Sequence, residues 1–246
     1  MSEAHHLSPL VRRWSKHSRL SPDDRAAILA LPYTPKTFGK DGYLVREGQA
    51  VTDCALLLRG FAFRQKVLRD GSRQIISFHV PTEFVDLQNA LLGIADDSVQ
   101  SANRTEAALI PRSALMELAT ARPAIRIAMW IETLLDASIF REWVVNVGRR
   151  DSRSRIAHLL CELATRLKSI GNGGEDGHYE FPLTQEQLAD ATGLTSVHTN
   201  RTLQGLRRDG LIHLNSGSLR ILDWEGLREA GDFDELYLHQ RIPVVA

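Results

Sequence analysis

Residues 183–222 restrict the possible folds of this chain more than any other stretch. LTQEQLADATGLTSVHTNRTLQGLRRDGL reads as two helices joined by a tight corner. The first opens at Thr184, with Glu186 and Gln187 close enough to reach back and cap it, and ends near Ala191. Thr192-Gly193-Leu194 forms the corner, where glycine permits a left-handed backbone. Thr195 or Ser196 caps a second helix running to Arg208, and Gly210 stops it.

Periodicity assigns the faces of that second helix. At ~100° per residue, Val197, Arg201, Gln204 and Arg208 share one side, while Thr199, Leu203 and Leu206 share the other. The first set carries guanidinium and amide groups, the chemistry that reads base edges and holds phosphates. Ser196 and Asn200 lie at one border of this face and His198 at the other. An amphipathic helix with arginines is by itself commonly a solvated surface helix. The segment C-terminal to it tips the balance. Leu211–Leu214 and Leu219–Leu222 alternate apolar and polar around Asn215-Ser216-Gly217-Ser218, a β-hairpin pattern. Helix, turn, helix and hairpin make a winged helix, with Ser216, Ser218 and Arg220 placed for phosphate contacts along the wing.

Upstream, the period changes to two. Tyr43–Val45, Cys54–Arg59, Phe61–Leu68, Gln74–Val80, Ser98–Asn103 and Glu106–Ile110 read as short strands separated by turns at Asp41-Gly42, Arg59-Gly60 and Asp70-Gly71. They predict a small antiparallel β-roll, interrupted by a helical excursion over 86–94 and preceded by two short helices within 8–31. A brief helix over 112–119 leads to a long one over 124–147, which carries more apolar positions than one buried stripe needs. The second face calls for a second copy of the chain or, as the alternative, for cover on both sides within one chain. Spacing alone offers Ala128, Ile131, Leu135, Ser138, Glu142 and Val145 as the dimer seam. Gly148–Ser152 breaks the helix and serves as a hinge. The fold class is therefore α+β in three parts: a roll with its N-terminal helices over 1–120, a dimerisation helix and hinge over 121–149, and a winged helix-turn-helix with its tail over 150–246.

Charge and cysteine content narrow the function. Formal net charge is zero, and from Arg149 onward twelve Lys and Arg face fourteen Asp and Glu. Nucleic-acid affinity then depends on where cations sit rather than on overall basicity. Two distant cysteines, Cys54 and Cys161, cannot hold an iron–sulfur cluster and read as buried thiols. No apolar run approaches the ~20 residues of a membrane span, so a cytoplasmic protein without a membrane partner is expected. His5, His6 and His17 are scattered rather than spaced as metal ligands. No nucleophile–base pair or phosphate-cradling glycine loop points to an enzyme.

The order roll, long helix, hinge, winged helix resembles the Crp/Fnr superfamily of bacterial transcription regulators. The local matches are LVREG at 44–48, ALLLRGFAFR at 55–64, FHVPTEFVDLQNALLG at 78–93 and residues 183–212. The resemblance implies a homodimer on a near-palindromic stretch of double-stranded DNA that recruits or blocks RNA polymerase. It places Thr184 and Thr195 at phosphate contacts and Arg201 at a guanine-reading position, and puts Val197 where the family commonly has glutamate. It also places Asp86-Leu87 and Asp97-Ser98 where cyclic-AMP-binding members hold the ribose and cyclic phosphate. Acids there disfavour cyclic AMP; no cofactor or metal is expected, and whether haem or another ligand is sensed is left open. The competing function is a cyclic-nucleotide-type regulatory module whose winged helix binds proteins.

Overall fold

The computed structural model describes residues 5–173 and 176–240; the end of the tail, expected to lie along the surface, falls outside them. Two compact units form. One comprises residues up to 64 together with 79–137; the other comprises 65–78 together with 138–240.

The first unit opens with α1 (Ser8–Ser15) and α2 (Pro22–Leu29). Ser21 caps α2 through a reciprocal box with Asp24, as Ser-Pro-Asp-Asp dictates. The strands β1 (Thr34–Phe38), β2 (Tyr43–Val45), β3 (Asp53–Arg59), β4 (Ala62–Val67) and β5 (Arg73–His79) come next in sequence, the second half of β4 and nearly all of β5 counting with the second unit. A single-turn helix α3 (Asn89–Leu92) separates them from β6 (Ser98–Ser101) and β7 (Thr105–Pro111). They form two sheets, ordered β1-β7-β3 and β2-β6-β4-β5. Periodicity does not reveal β1, because Pro35 and Lys36 break its apolar pattern; it is an edge strand paired antiparallel to β7.

The β3 run Cys54-Ala55-Leu56-Leu57 is apolar without alternation because the strand is covered on both faces. Cys54 and Leu56 join a core with Leu10, Trp14, Ile28, Leu115, Ile125 and Ala128. Ala55 and Leu57 join a second core inside the roll with Phe38, Val45, Val85 and Val99. The same split occurs in β7, where Ala108 and Ile110 face the first core and Ala107 and Leu109 the second.

After the roll come α4 (Arg112–Ala121) and α5 (Pro123–Arg149). The long helix runs straight through Gly148, so the break lies at Arg150-Asp151 rather than across 148–152. The residues expected to form the seam are largely taken up within the chain. Ala128, Leu135 and Ser138 are buried within the chain itself, and Glu142 is ion-paired to Arg150 at 2.7 Å; Ile131 is half-buried and Val145 exposed. The exposed row is Trp130, Leu134, Ala137, Arg141 and Val144, with Phe140 beside it. Its four–three–four–three spacing is a heptad row one position away from the expected register.

In the second unit, α6 (Ser152–Ser169) is capped by Asp151 and buried continuously from Ile156 to Leu167. Around it pack α7 (Gln185–Thr192), α8 (Ser196–Arg208) and α9 (Trp224–Ala230). The strand β8 (His178–Phe181) pairs antiparallel with β10 (Gly217–Ile221), which pairs with β9 (Ile212–Asn215). A 3-10 turn over Glu235–Leu238 closes the described chain. Cys54 and Cys161 are both free and buried, as expected, and burial pushes the Cys161 thiol up to about 12. Among the described residues, no helix is long and apolar enough to cross a membrane, and no cluster of three His, Cys, Asp or Glu side chains could hold a metal ion.

Candidate nucleic-acid interface

The corner between α7 and α8 is built from local chemistry. The Thr184 hydroxyl accepts from the Gln187 amide at 3.1 Å, and the Gln187 side chain accepts from the Thr184 amide at 2.8 Å. Gly193 takes the left-handed conformation with φ 65°, and the Thr195 hydroxyl accepts from the His198 amide at 3.2 Å. Each capping hydroxyl is used as an acceptor, so its proton stays available for an outside acceptor such as a phosphate oxygen. Both helix N-termini also present unsatisfied amides, which favour anions.

The faces of α8 divide as periodicity predicts. Thr199, Leu203 and Leu206 are fully buried. Ser196, Val197, His198, Arg201, Gln204 and Arg208 are exposed, while Asn200 and Thr184 are half-buried. Val197 is 77% exposed, an apolar side chain standing clear of the fold between polar neighbours. Arg201 and Arg208 make no side-chain hydrogen bond or ion pair with the described residues. Arg207, next to Arg208 in the chain, is committed elsewhere: its guanidinium donates to the Leu214 carbonyl at 2.8 Å and ties the end of α8 to β9.

Two contributions come from outside α7 and α8. Arg155 on α6 donates to the Thr192 carbonyl at 2.9 Å and the Arg150 carbonyl at 2.8 Å, bracing the corner from behind. No spacing rule announces a side chain that reaches across 37 residues. The second concerns the wing. Gly217 adopts φ 83°, closing the hairpin as the Ser-Gly-Ser sequence suggests; Ser216 is exposed and Ser218 half-buried. Arg220 lies directly between His213 of β9 and His178 of β8, so the outer sheet face carries a row of three nitrogen bases. His178 belongs to this surface only because β8 pairs with β10. The hairpin tip between β4 and β5 also meets α7 in this unit, with Arg73 donating to Asp190 at 2.7 Å and lying 3.7 Å from Glu186.

In the first unit, Asp86 and Asp97 are both buried. Asp97 lies 3.3 Å from the Arg64 guanidinium, and Asp86 accepts from the Ala55 amide at 2.8 Å.

Comparison with known proteins agrees with this arrangement. Residues 35–122 match the cyclic nucleotide-binding domain family, and residues 154–230 match the Crp-like helix-turn-helix domain family. The chain is 25% identical over 227 residues to the transcriptional activator protein FnrL of Cereibacter sphaeroides, covering 90% of each. It is also 25% identical over 214 residues to the nitrogen fixation regulation protein FixK of Azorhizobium caulinodans, covering 85% of each. The structure of FixK2 from Bradyrhizobium japonicum superposes with a TM-score of 0.74 at 21% identity, covering 81% of this chain and 98% of that one. With a roll and a winged helix-turn-helix each matched in place, the chain belongs to the Crp/Fnr family and is a sequence-specific DNA-binding regulator of transcription.

Proposed function

We propose that the chain acts as a cytoplasmic, non-enzymatic homodimer on a near-palindromic operator, with α8 of each copy in a major groove. One observation carries this proposal: the outward face of α8 bears Val197, Arg201, Gln204 and Arg208 without partners in the described chain, while the opposite face is buried. Arg201 reads a guanine and Gln204 an adjacent base edge, with Ser196, His198 and Asn200 at the borders. Thr184, Thr195 and Arg208 hold phosphates, joined along the wing by Ser216, Ser218 and Arg220. Val197 can offer only methyl groups, so the base opposite it is read by apolar contact, as to a thymine methyl.

Dimerisation uses the exposed row of α5 through Trp130, Leu134, Ala137, Arg141 and Val144. It sets two α8 helices about 34 Å apart, one turn of duplex. The relatives' names as transcriptional activators favour recruitment of RNA polymerase over blocking it.

Selection of operators from a random duplex pool, with no ligand added, tests the proposal. Enrichment of an inverted repeat, with association that falls steeply with salt, is expected. No enrichment, or salt-independent association, would overturn it.

A further inference from the structure

Arg64 of β4 points into the interior of the first unit and is only 7% exposed. Each arm of its fork meets a different segment. One terminal nitrogen donates to Asp136 of α5 at 2.7 Å, the other donates to the Val85 carbonyl at 2.7 Å, and the Nε lies 3.3 Å from Asp97, just before β6. Asp86 lies beside this cluster, 1% exposed, with one carboxylate oxygen accepting from the Ala55 amide at 2.8 Å. Two carboxylates and a carbonyl on three separate segments thus converge on a single planar cation, with the Asp86 carboxylate close by. That is the acceptor set of a binding site for a guanidinium-type organic cation, because a fork of N–H groups matches carboxylate and carbonyl acceptors in ways a point charge cannot. The same set repels an anionic ligand.

We propose that Arg64 is a built-in occupant of this site: the chain supplies its own organic cation, which fills the acidic interior of the roll and ties it to α5 through Asp136. A tethered cation is present at an effective concentration that free solutes do not match. The roll therefore needs no diffusible effector to hold α5 against it.

Chemical rescue tests this. Arg64→Ala leaves the carboxylates without their cation and is expected to melt well below the wild type. Methylguanidinium at up to tens of millimolar should raise its melting temperature along a saturable curve and leave the wild type unchanged. Urea, a neutral isostere, and tetramethylammonium, a cation without N–H donors, should do neither. Absence of saturable rescue, equal rescue by urea, or a variant that melts like the wild type would overturn the proposal. Asp136→Asn provides an independent measurement in a chain that keeps Arg64 on its other partners. Hydrogen exchange in α5 around residues 132–140 should speed up about tenfold while the β-strands of the roll stay protected, and unchanged exchange in α5 would count against the tie. The regulatory half rests on the DNA-binding proposal: Arg64→Ala should lose operator binding and regain it with methylguanidinium. The melting and exchange readouts do not depend on DNA, so failure of one proposal is distinguishable from failure of the other.

Discussion

The Trp143 indole N–H donates to the Glu162 carboxylate at 3.0 Å, joining the last turns of α5 to the middle of α6. The same Glu162 oxygen accepts from the Tyr237 hydroxyl at 2.9 Å, and the other accepts from Arg166 at 2.8 Å. Arg166 in turn donates to the Phe78 carbonyl of β5 at 2.7 Å. One fully buried carboxylate therefore fastens the end of α5, the first helix of the DNA-binding part and the C-terminal segment together, with β5 held through its arginine. A free swivel at 148–152 does not fit this network.

Glu162→Ala is expected to cost about 3–5 kcal/mol, because it strands a buried guanidinium along with two donors. Tyr237→Phe removes the hydroxyl's bond to Glu162 and its 3.0 Å contact with His158 Nε2, and should cost about 1–2 kcal/mol. Denaturant titration of the two variants checks both figures, and equal effects would show that Glu162 is not the hub.

Asp86 makes stability depend on pH. Burial pushes its carboxyl up to about 7 from an ordinary 3.8, although the Ala55 amide and Arg64 pull the other way. The unfolded chain then releases this proton first, so the contribution of Asp86 to stability falls as pH rises from about 4 to about 7 and levels off above that. Asp86→Asn keeps an acceptor for the Ala55 amide and has no charge to bury. It should melt several degrees above the wild type at pH 8 and close to it at pH 5. A gap of the same size at both values would exclude the titration.

Arg201→Ala should cost about 1–3 kcal/mol of operator binding and relax preference at one base pair per half-site. Arg208→Ala should weaken all sequences alike and reduce the salt slope by about 1. Val197→Glu places a carboxylate able to accept from cytosine N4, and selection with this variant should shift the opposite base accordingly. An unchanged consensus would place Val197 away from the bases.

Leu134→Glu puts a charge in the exposed row of α5 and should give the mass of a single chain by light scattering. Ala128→Glu, by contrast, should unfold the first unit, because Ala128 belongs to its core. Two monomers of equal stability would contradict the assigned seam.

Much of this molecule is legible in one dimension because its signals are local. A capping threonine, a glycine corner and a 3.6-residue apolar row act within a few residues of one another, so both helices of the motif and the faces of α8 follow from spacing. The roll's strands emerge the same way, except β1, whose proline and lysine carry no alternation. The choice between the two apolar faces of α5 does not emerge. Both rows satisfy the same three–four spacing, and only the packing that buries Ala128 and Leu135 inside the chain leaves Trp130 and Leu134 exposed. Nor can any pattern pair Arg64 with Asp136 or Glu162 with Tyr237, which lie 72 and 75 residues apart. Amino-acid order determined which segments become helix, strand and corner, since those choices rest on neighbouring residues. Tertiary structure decided which surfaces remain open and which charges are buried together, because desolvation and long-range pairing depend on everything that packs around a group.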